Sequence, residues 1–213
     1  MSRFAILLAG RVDPTQARRA ALAGTRIIAA DDGLRHAASL GVAPELWVGD
    51  FDSSPPEPPA AFADLPREAF PADKDRTDGE LAIDAALTRG ATSLLLVGAL
   101  GGPRSDHAFA HFVLALRHAA AGIAVECFDG AEHAWPLSPA PRRFDLLPGT
   151  QFSILKFSDL AGLTIAGAKW PLTEVAVPFH SILTQSNEAA GPITVTVREG
   201  AAILLAQADP SVR

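Results

Sequence analysis

The sequence predicts an α/β protein. We expect an N-terminal, mostly parallel sheet flanked by helices, Rossmann-like in outline, followed by a C-terminal all-β sandwich. Three observations predict it. The first two-thirds of the chain alternate short apolar runs with helical stretches. After residue 143 the helical periodicity stops and short β-branched runs take over. Between the two textures lies the proline-bearing segment WPLSPAPRR, residues 135–143. The expected domains are therefore 1–137 and 143–213.

The predicted strands of the first domain are Phe4–Ala9, Arg26–Ala30, Leu46–Gly49, Leu94–Gly98 and Ala124–Phe128. They are continuously apolar rather than alternating, as strands covered on both faces are. Helical candidates lie between them at Thr15–Ala23, Gly33–Leu40, Asp78–Arg89 and His107–Ala121. In the last, Phe109, Phe112, Val113, Leu116 and Ala120 share one stripe, which predicts the buried face. A βαβα series implies a parallel sheet with helices on both sides. PPEPPAAFADLP, residues 55–66, interrupts the series and reads as a loop with a short helix. In the second domain FSILKF, LTIAG, SILTQS, ITVTV and AAILLA, separated by Gly, Pro and Asn, read as antiparallel strands of a sandwich or small barrel.

The 213 residues are 48% hydrophobic and 20% charged, an ordinary globular balance. A net charge of −6 argues against nucleic acid or an anionic membrane as a partner. An acidic chain that handles phosphates needs local cations. The single cysteine, Cys127, excludes an intrachain disulfide and fits a reducing compartment. The run FAILLA is too short for a signal-peptide core or a membrane span, so a cytoplasmic protein is expected.

Ten of the fifteen aspartates fall between Asp31 and Asp106. Asp31 and Asp32 follow the strand RIIAA; Asp50 and Asp52 follow LWVG. In an open α/β sheet, ligands bind beyond the carboxyl ends of the strands. In extended chain, residues i and i+2 point to the same side, roughly 6–7 Å apart. Asp50 and Asp52 in GDFDS can therefore converge on one hard cation. Gly49 allows close backbone approach, and Phe51 points to the core. Magnesium suits such a site, because it takes one or two carboxylates, keeps waters and accepts phosphate oxygens. The competing reading is a solvated acidic loop with Asp52 and Ser53 as turn caps. Adding Asp31 and Asp78 favours the metal.

In ADKDRTDGELAI, Thr77 and Glu80 form a capping box, so Thr77 is the predicted N-cap. Asp78 then sits in the first turn, where the helix dipole favours a carboxylate. That accounts for both structurally. It leaves Lys74 and Arg76, two cations beside a helix N-terminus, which suit an anion. In GALGGPRSDHAFAH, glycines allow a tight turn, Arg104 can bind phosphate bidentately, and Asp106 is the expected cap. His107 and His111 are four apart, but no third ligand for zinc is evident. The chain lacks G-x-x-x-x-G-K-[ST], G-x-G-x-x-G and G-x-S-x-G.

Taken in order, AADDG, GVAPELWVGDFDS, KDRTDGELAI, GALGG with R-x-DH, GLTIAGAKWPL and QSNE resemble the thiamine pyrophosphokinase family. The resemblance runs from about residue 26 to residue 205. It implies an α/β catalytic domain, a β-sandwich that helps bind thiamine, and a homodimer with active sites at the interface. It implies transfer of the pyrophosphoryl group of ATP to thiamine, with Mg2+, giving thiamine diphosphate and AMP. By motif, Asp31, Asp50, Asp52 and Asp78 match the acidic residues around magnesium and nucleotide. Lys74 and Thr77 match positions near phosphates and substrate. Arg104 matches the GGR arginine, and Ser186 with Asn187 the thiamine-contacting pair. Trp170 falls where relatives often carry an aromatic, with stacking and core roles both open. The chain departs from the pattern at Asp32, Pro103 and His111. A pyrophosphokinase for another alcohol such as a hydroxymethylpterin, a metal-dependent phosphohydrolase and a non-catalytic binder are the alternatives.

Overall fold

The computed structural model describes residues 2–51, 59–71, 73 and 75–208. The chain divides into two compact units, Met1–Gly130 and Ala131–Arg213.

The first unit is built on a parallel sheet. Its strands are β1 (Arg3–Leu7), β2 (Arg26–Ala30), β3 (Leu46–Gly49), β4 (Arg67–Ala69), β5 (Ser93–Val97) and β6 (Ala124–Phe128). They lie in the order β6-β5-β1-β2-β3-β4, and every pairing between neighbours is parallel. The order reverses at β1, whose neighbours β2 and β5 lead away to opposite edges, and ligand sites form at such a switch point. Among the described residues, four α-helices accompany the strands: α1 (Gln16–Leu22), α2 (His36–Leu40), α3 (Asp78–Thr88) and α4 (Ser105–Ala120). The strand residues Phe4–Leu7, Ile28, Val48 and Leu94–Val97 are almost fully buried, as a sheet covered on both faces requires.

Five expected strands are present, each within a residue or two of its expected bounds. β4 was not foreseen; it is short and carries Arg67 and Glu68, so it shows no apolar run. The short helix expected in the proline-rich stretch is a 3-10 turn at Ala60–Phe62. The apolar stripe expected on α4 is corrected. Leu114, Ala115 and His118 are buried, while Phe109 is 59% and Val113 44% exposed. The buried face runs through Leu114, Ala115 and His118 instead, and α4 packs against β6.

Among the described residues, the regular elements of the second unit are all strands: β7 (Glu132–Pro136), β8 (Arg142–Phe144), β9 (Gln151–Lys156), β10 (Leu160–Ala168), β11 (Leu172–Val177), β12 (Asn187–Thr196) and β13 (Ala202–Gln207). All their pairings are antiparallel. The long β12 pairs with β9 at Asn187 and Glu188 and with β8 and β10 further on. Its core includes Trp135, Phe152, Ile154, Leu163, Ile165, Ile193 and Leu204. β7 belongs to this unit through its ladder with β13, so the division falls before WPLSPAPRR rather than within it. SILTQS is not a strand: Ser181–Ser186 is a turn segment with Ile182 and Leu183 exposed.

None of the helices described is long and apolar enough to cross a membrane. Because Leu95 is wholly buried in the central strand β5, Leu95→Ala is expected to lower the stability of the first unit by about 2–5 kcal/mol, read as a lower urea midpoint.

Candidate functional site

A cavity of about 440 Å³ opens at the carboxyl ends of the parallel strands. Leu8, Ala9 and Gly10 enter it from the turn after β1, Asp31 from the end of β2 and Asp50 from the end of β3. Thr77, Asp78 and Gly79 bring the start of α3 to it. Gly98 to Pro103 form the turn after β5, and Arg104, His107, Ala108 and His111 line it from the first turns of α4. Of the aspartates expected here, Asp31, Asp50 and Asp78 share this cavity. Asp52 and Lys74 lie outside the described residues.

Asp31 is held with unusual firmness. Its φ is +42°, a region costly for a residue with a side chain. The buried indole of Trp47, on β3, donates its N–H to the Asp31 carbonyl at 2.8 Å. Gly49 packs against the same residue: a Cβ there would come within 3.2 Å of both the Asp31 Cα and Cβ. The role of Gly49 is thus to admit Asp31. Trp47 also meets Phe51 edge-on at 4.6 Å, which draws the residue after Asp50 back toward the sheet. Phe51 itself has φ +62°. Two strained residues therefore bracket the strand ends that present carboxylates.

Thr77 caps α3 by accepting from Glu80 N at 3.2 Å. Asp78 is the first residue of that helix. Arg76, expected to face an anion, turns along α3 to Asp84 and Glu80 instead. Those carboxylates lie a turn or two along the same face and claim its guanidinium. Arg104 reaches the cavity, yet its side chain pairs bidentately with Asp106 at 2.9 and 2.6 Å. Asp106 is not the N-cap of α4; Arg104 occupies that position and makes no capping bond with its side chain, while the Asp106 carboxylate accepts from backbone N–H groups of the first turn. The Arg104 hydrogen bonds hold the Asp106 carboxyl down to about 2. Both partners are solvent-exposed, so the pair is weak and easily exchanged for another anion.

His111 Nδ1 lies 2.9 Å from the Ala99 carbonyl. A carbonyl only accepts, so Nδ1 carries the proton and Nε2 is a lone-pair acceptor. Burial, with the nearby His107, keeps this ring below its ordinary range, against the opposing Ala99 bond. Cys127 is buried in β6, and burial pushes its thiol up to about 12, which suits a core residue and not a nucleophile. Among the described residues no three His, Cys, Asp or Glu side chains form a ready-made metal cluster.

In the second unit, Asn187 is buried and its amide is engaged by the backbone of Trp170. Trp170 N donates to Asn187 Oδ1 at 3.3 Å, and Asn187 Nδ2 donates to Trp170 O at 2.8 Å. Trp170 itself is 54% exposed, with Lys169 Nζ 4.9 Å from its ring centre. Ser186 is exposed at φ +56° and donates its N–H to Ser153 Oγ at 3.0 Å. Trp170 is thus an exposed residue whose backbone is fixed by Asn187.

Sequence reasoning missed Trp47 and Gly10. Trp47 looked like strand filler, and its one polar atom was the available signal. Gly10 packs so tightly on the Gly98 carbonyl that a Cβ would collide with it.

The family model described as thiamin pyrophosphokinase, catalytic domain, matches residues 19–127. The model for the thiamin pyrophosphokinase vitamin B1 binding domain matches residues 141–202. A thiamine pyrophosphokinase of Bacillus subtilis is 28% identical over 165 residues, covering 76% of this chain and 77% of the relative. The crystal structure of thiamine pyrophosphokinase from Bacillus subtilis superposes with a TM-score of 0.81 at 25% identity, covering 98% of this chain and all of that one. The enzyme from Geobacillus thermodenitrificans gives 0.78 at 28% identity, with both chains covered in full. The Candida albicans structure, at 13% identity and covering 98% of this chain and 89% of its own, gives 0.81 and shares the fold.

Two outcomes follow from this geometry. Trp47→Phe keeps the ring but leaves the buried Asp31 carbonyl without its donor, so it should cost about 1–3 kcal/mol in urea unfolding. His36, whose Nε2 lies 2.9 Å from the Gly10 carbonyl, is also held below 6.5, by burial and then by Arg35, with Arg18 adding and Asp32 opposing. For His36 and His111 the folded form resists protonation more than the unfolded chain does. Stability should therefore be fullest above about 6.5 and fall as pH drops below it. A lower urea midpoint at about pH 5.5 than at about pH 7.5, with the gap narrowed in His36→Gln, is the expected result.

Proposed function

We propose that this chain, which belongs to the thiamine pyrophosphokinase family, binds ATP in the carboxylate-lined cavity and passes its terminal pyrophosphoryl group to the hydroxyl of thiamine. The enzyme class is thiamine diphosphokinase. The match of the vitamin B1 domain favours thiamine over a pterin alcohol.

One observation carries the assignment of the cavity. Three carboxylates, Asp31, Asp50 and Asp78, share it with the N-termini of two helices, α3 and α4. Helix N-termini attract phosphate, whereas carboxylates repel it. The two sets serve one ligand when a divalent cation lies between carboxylate and phosphate. Magnesium fits this donor set, since it binds through one or two carboxylates together with waters and phosphate oxygens. Asp31 and Asp50 would hold it, with Asp78 and Asp52 as the further candidates from the sequence. It would supply neutralisation of the charge that builds on the transferred group.

The remaining chemistry belongs to the chain. The amides at the starts of α3 and α4, with Arg104 once released from Asp106, orient the phosphates for in-line attack. The thiamine hydroxyl oxygen forms a bond to the β-phosphorus as the bond to the bridging oxygen breaks and AMP leaves. Asp78 takes the hydroxyl proton in our reading, and a loose transition state asks little of that base. For thiamine we propose the exposed pair Trp170 and Ser186, with Asn187 fixing the tryptophan backbone. In this reading the first unit is the Rossmann-like catalytic domain and the second the thiamine-binding sandwich. We also propose a cytoplasmic homodimer with active sites at the interface; the exposed Phe109 and Val113 on α4 support pairing.

Incubation with ATP, Mg2+ and thiamine should give equal amounts of AMP and thiamine diphosphate. Asp50→Asn and Asp78→Asn should each lose turnover by orders of magnitude with an unchanged circular dichroism spectrum. Near-wild-type turnover in Asp50→Asn would refute the cavity assignment.

A further inference from the structure

Arg18 is wholly buried at 0% exposure, although it stands on α1 and lines no part of the cavity described above. Placing a guanidinium there is costly. Burial lowers its pKa, against the attraction of Asp129 first and then of Asp13. Its Nε and Nη2 have no hydrogen-bond partner among the described residues. An apolar side chain of similar volume would avoid that penalty, so packing alone does not account for the arginine.

Its surroundings suggest a reason. The guanidinium Nη1 donates to the Asp13 carbonyl, in the turn after β1. The guanidinium lies 5.4 Å from the ring centre of Phe128, at the end of β6. It fills the space beside Gly130, where a Cβ would collide with it. Asp13 N in turn donates to the Asp129 carbonyl at 3.4 Å. The buried Asp129 carboxylate lies against Gly101, such that a Cβ there would approach Oδ2 to 2.8 Å. One cation thus gathers the turns that follow β1, β5 and β6.

The turn after β1 is held from two further directions. Arg35 Nη2 donates to the Ala9 carbonyl at 2.5 Å, and His36 Nε2 donates to the Gly10 carbonyl. Three carbonyls of one turn are each claimed by a side chain from outside it. That turn and the turn after β5 are the two that bring Gly10 and Gly98–Pro103 to the cavity. We propose that Arg18 is a positioning residue for the reaction, setting the spacing of these two cavity walls through the Asp13 carbonyl and the Asp129 carboxylate. The walls it sets belong to the nucleotide side, so the kinetic part of this inference rests on the function proposed above.

Arg18→Met and Arg18→Lys separate positioning from simple stability. Arg18→Met should raise KM for ATP about tenfold, the size of one lost charge-assisted hydrogen bond, while KM for thiamine changes less than about twofold. Arg18→Lys, which keeps the charge, should recover part of the loss. Hydrogen exchange read by mass spectrometry should show faster exchange in peptides covering 9–15 and 98–104, with β2 and β3 unchanged. An unchanged KM for ATP, or equal rises for both substrates, would overturn the proposal, as would unaltered exchange in both turns. Should Arg18→Met fail to fold, Arg18→Lys and the same two peptides decide the matter. A wild-type protein that forms no AMP counts against the catalytic reading, and the exchange pattern still tests the role of Arg18.

Discussion

The hydrogen bond from the Trp47 indole to the Asp31 carbonyl is the constraint on which the site rests. It joins the ends of two neighbouring parallel strands. It also fixes Asp31 in a conformation that a residue with a side chain resists. Such a conformation persists only where the surroundings over-determine it, and here the indole on one side and Gly49 on the other do so. Asp31 so set lines the same cavity as Asp50 and Asp78.

In the proposed reading, electrostatics has to reconcile so acidic a cavity with an anionic substrate. A chain with net charge −6 has little long-range attraction for ATP. The cavity compensates locally, with two helix N-termini and one exposed arginine. Arg76 does not contribute, because Glu80 and Asp84 hold it along α3. In that reading the carboxylates would become an asset only through a cation they share with the phosphates. Rigid backing matters as much as charge. Glycines at 10 and 49 let chain segments touch where a side chain would force them apart.

Much of the fold was legible because a parallel sheet buried on both faces leaves unbroken apolar runs, as in SLLLV and RIIAA. The same logic failed for β4, an edge strand whose three residues carry two charges. It failed again for α4, where periodicity identified an apolar stripe but not which part of it meets the sheet. SILTQS carried a strand-like composition yet forms turns, for in isolated stretches β-propensity is outweighed by the pairing partners available. In the candidate site, the presence of Asp31, Asp50, Thr77, Asp78 and Arg104 around one cavity was legible from motifs at strand ends and a capping box. The engagement of Asn187 with Trp170, of Arg76 with Asp84 and of Arg104 with Asp106 was not.

By itself the sequence determined the strand–helix alternation, the capping of α3 and the family, because these depend on local periodicity and on motifs read in order. Only the tertiary structure decided which carboxylates share a cavity and which cations are already engaged. It alone brought Trp47 and Gly49 against Asp31 and set the Arg18 guanidinium on the Asp13 carbonyl. The reason is physical. A hydrogen bond or a close contact between residues far apart in the chain depends on distances that folding sets, and no local pattern encodes those distances.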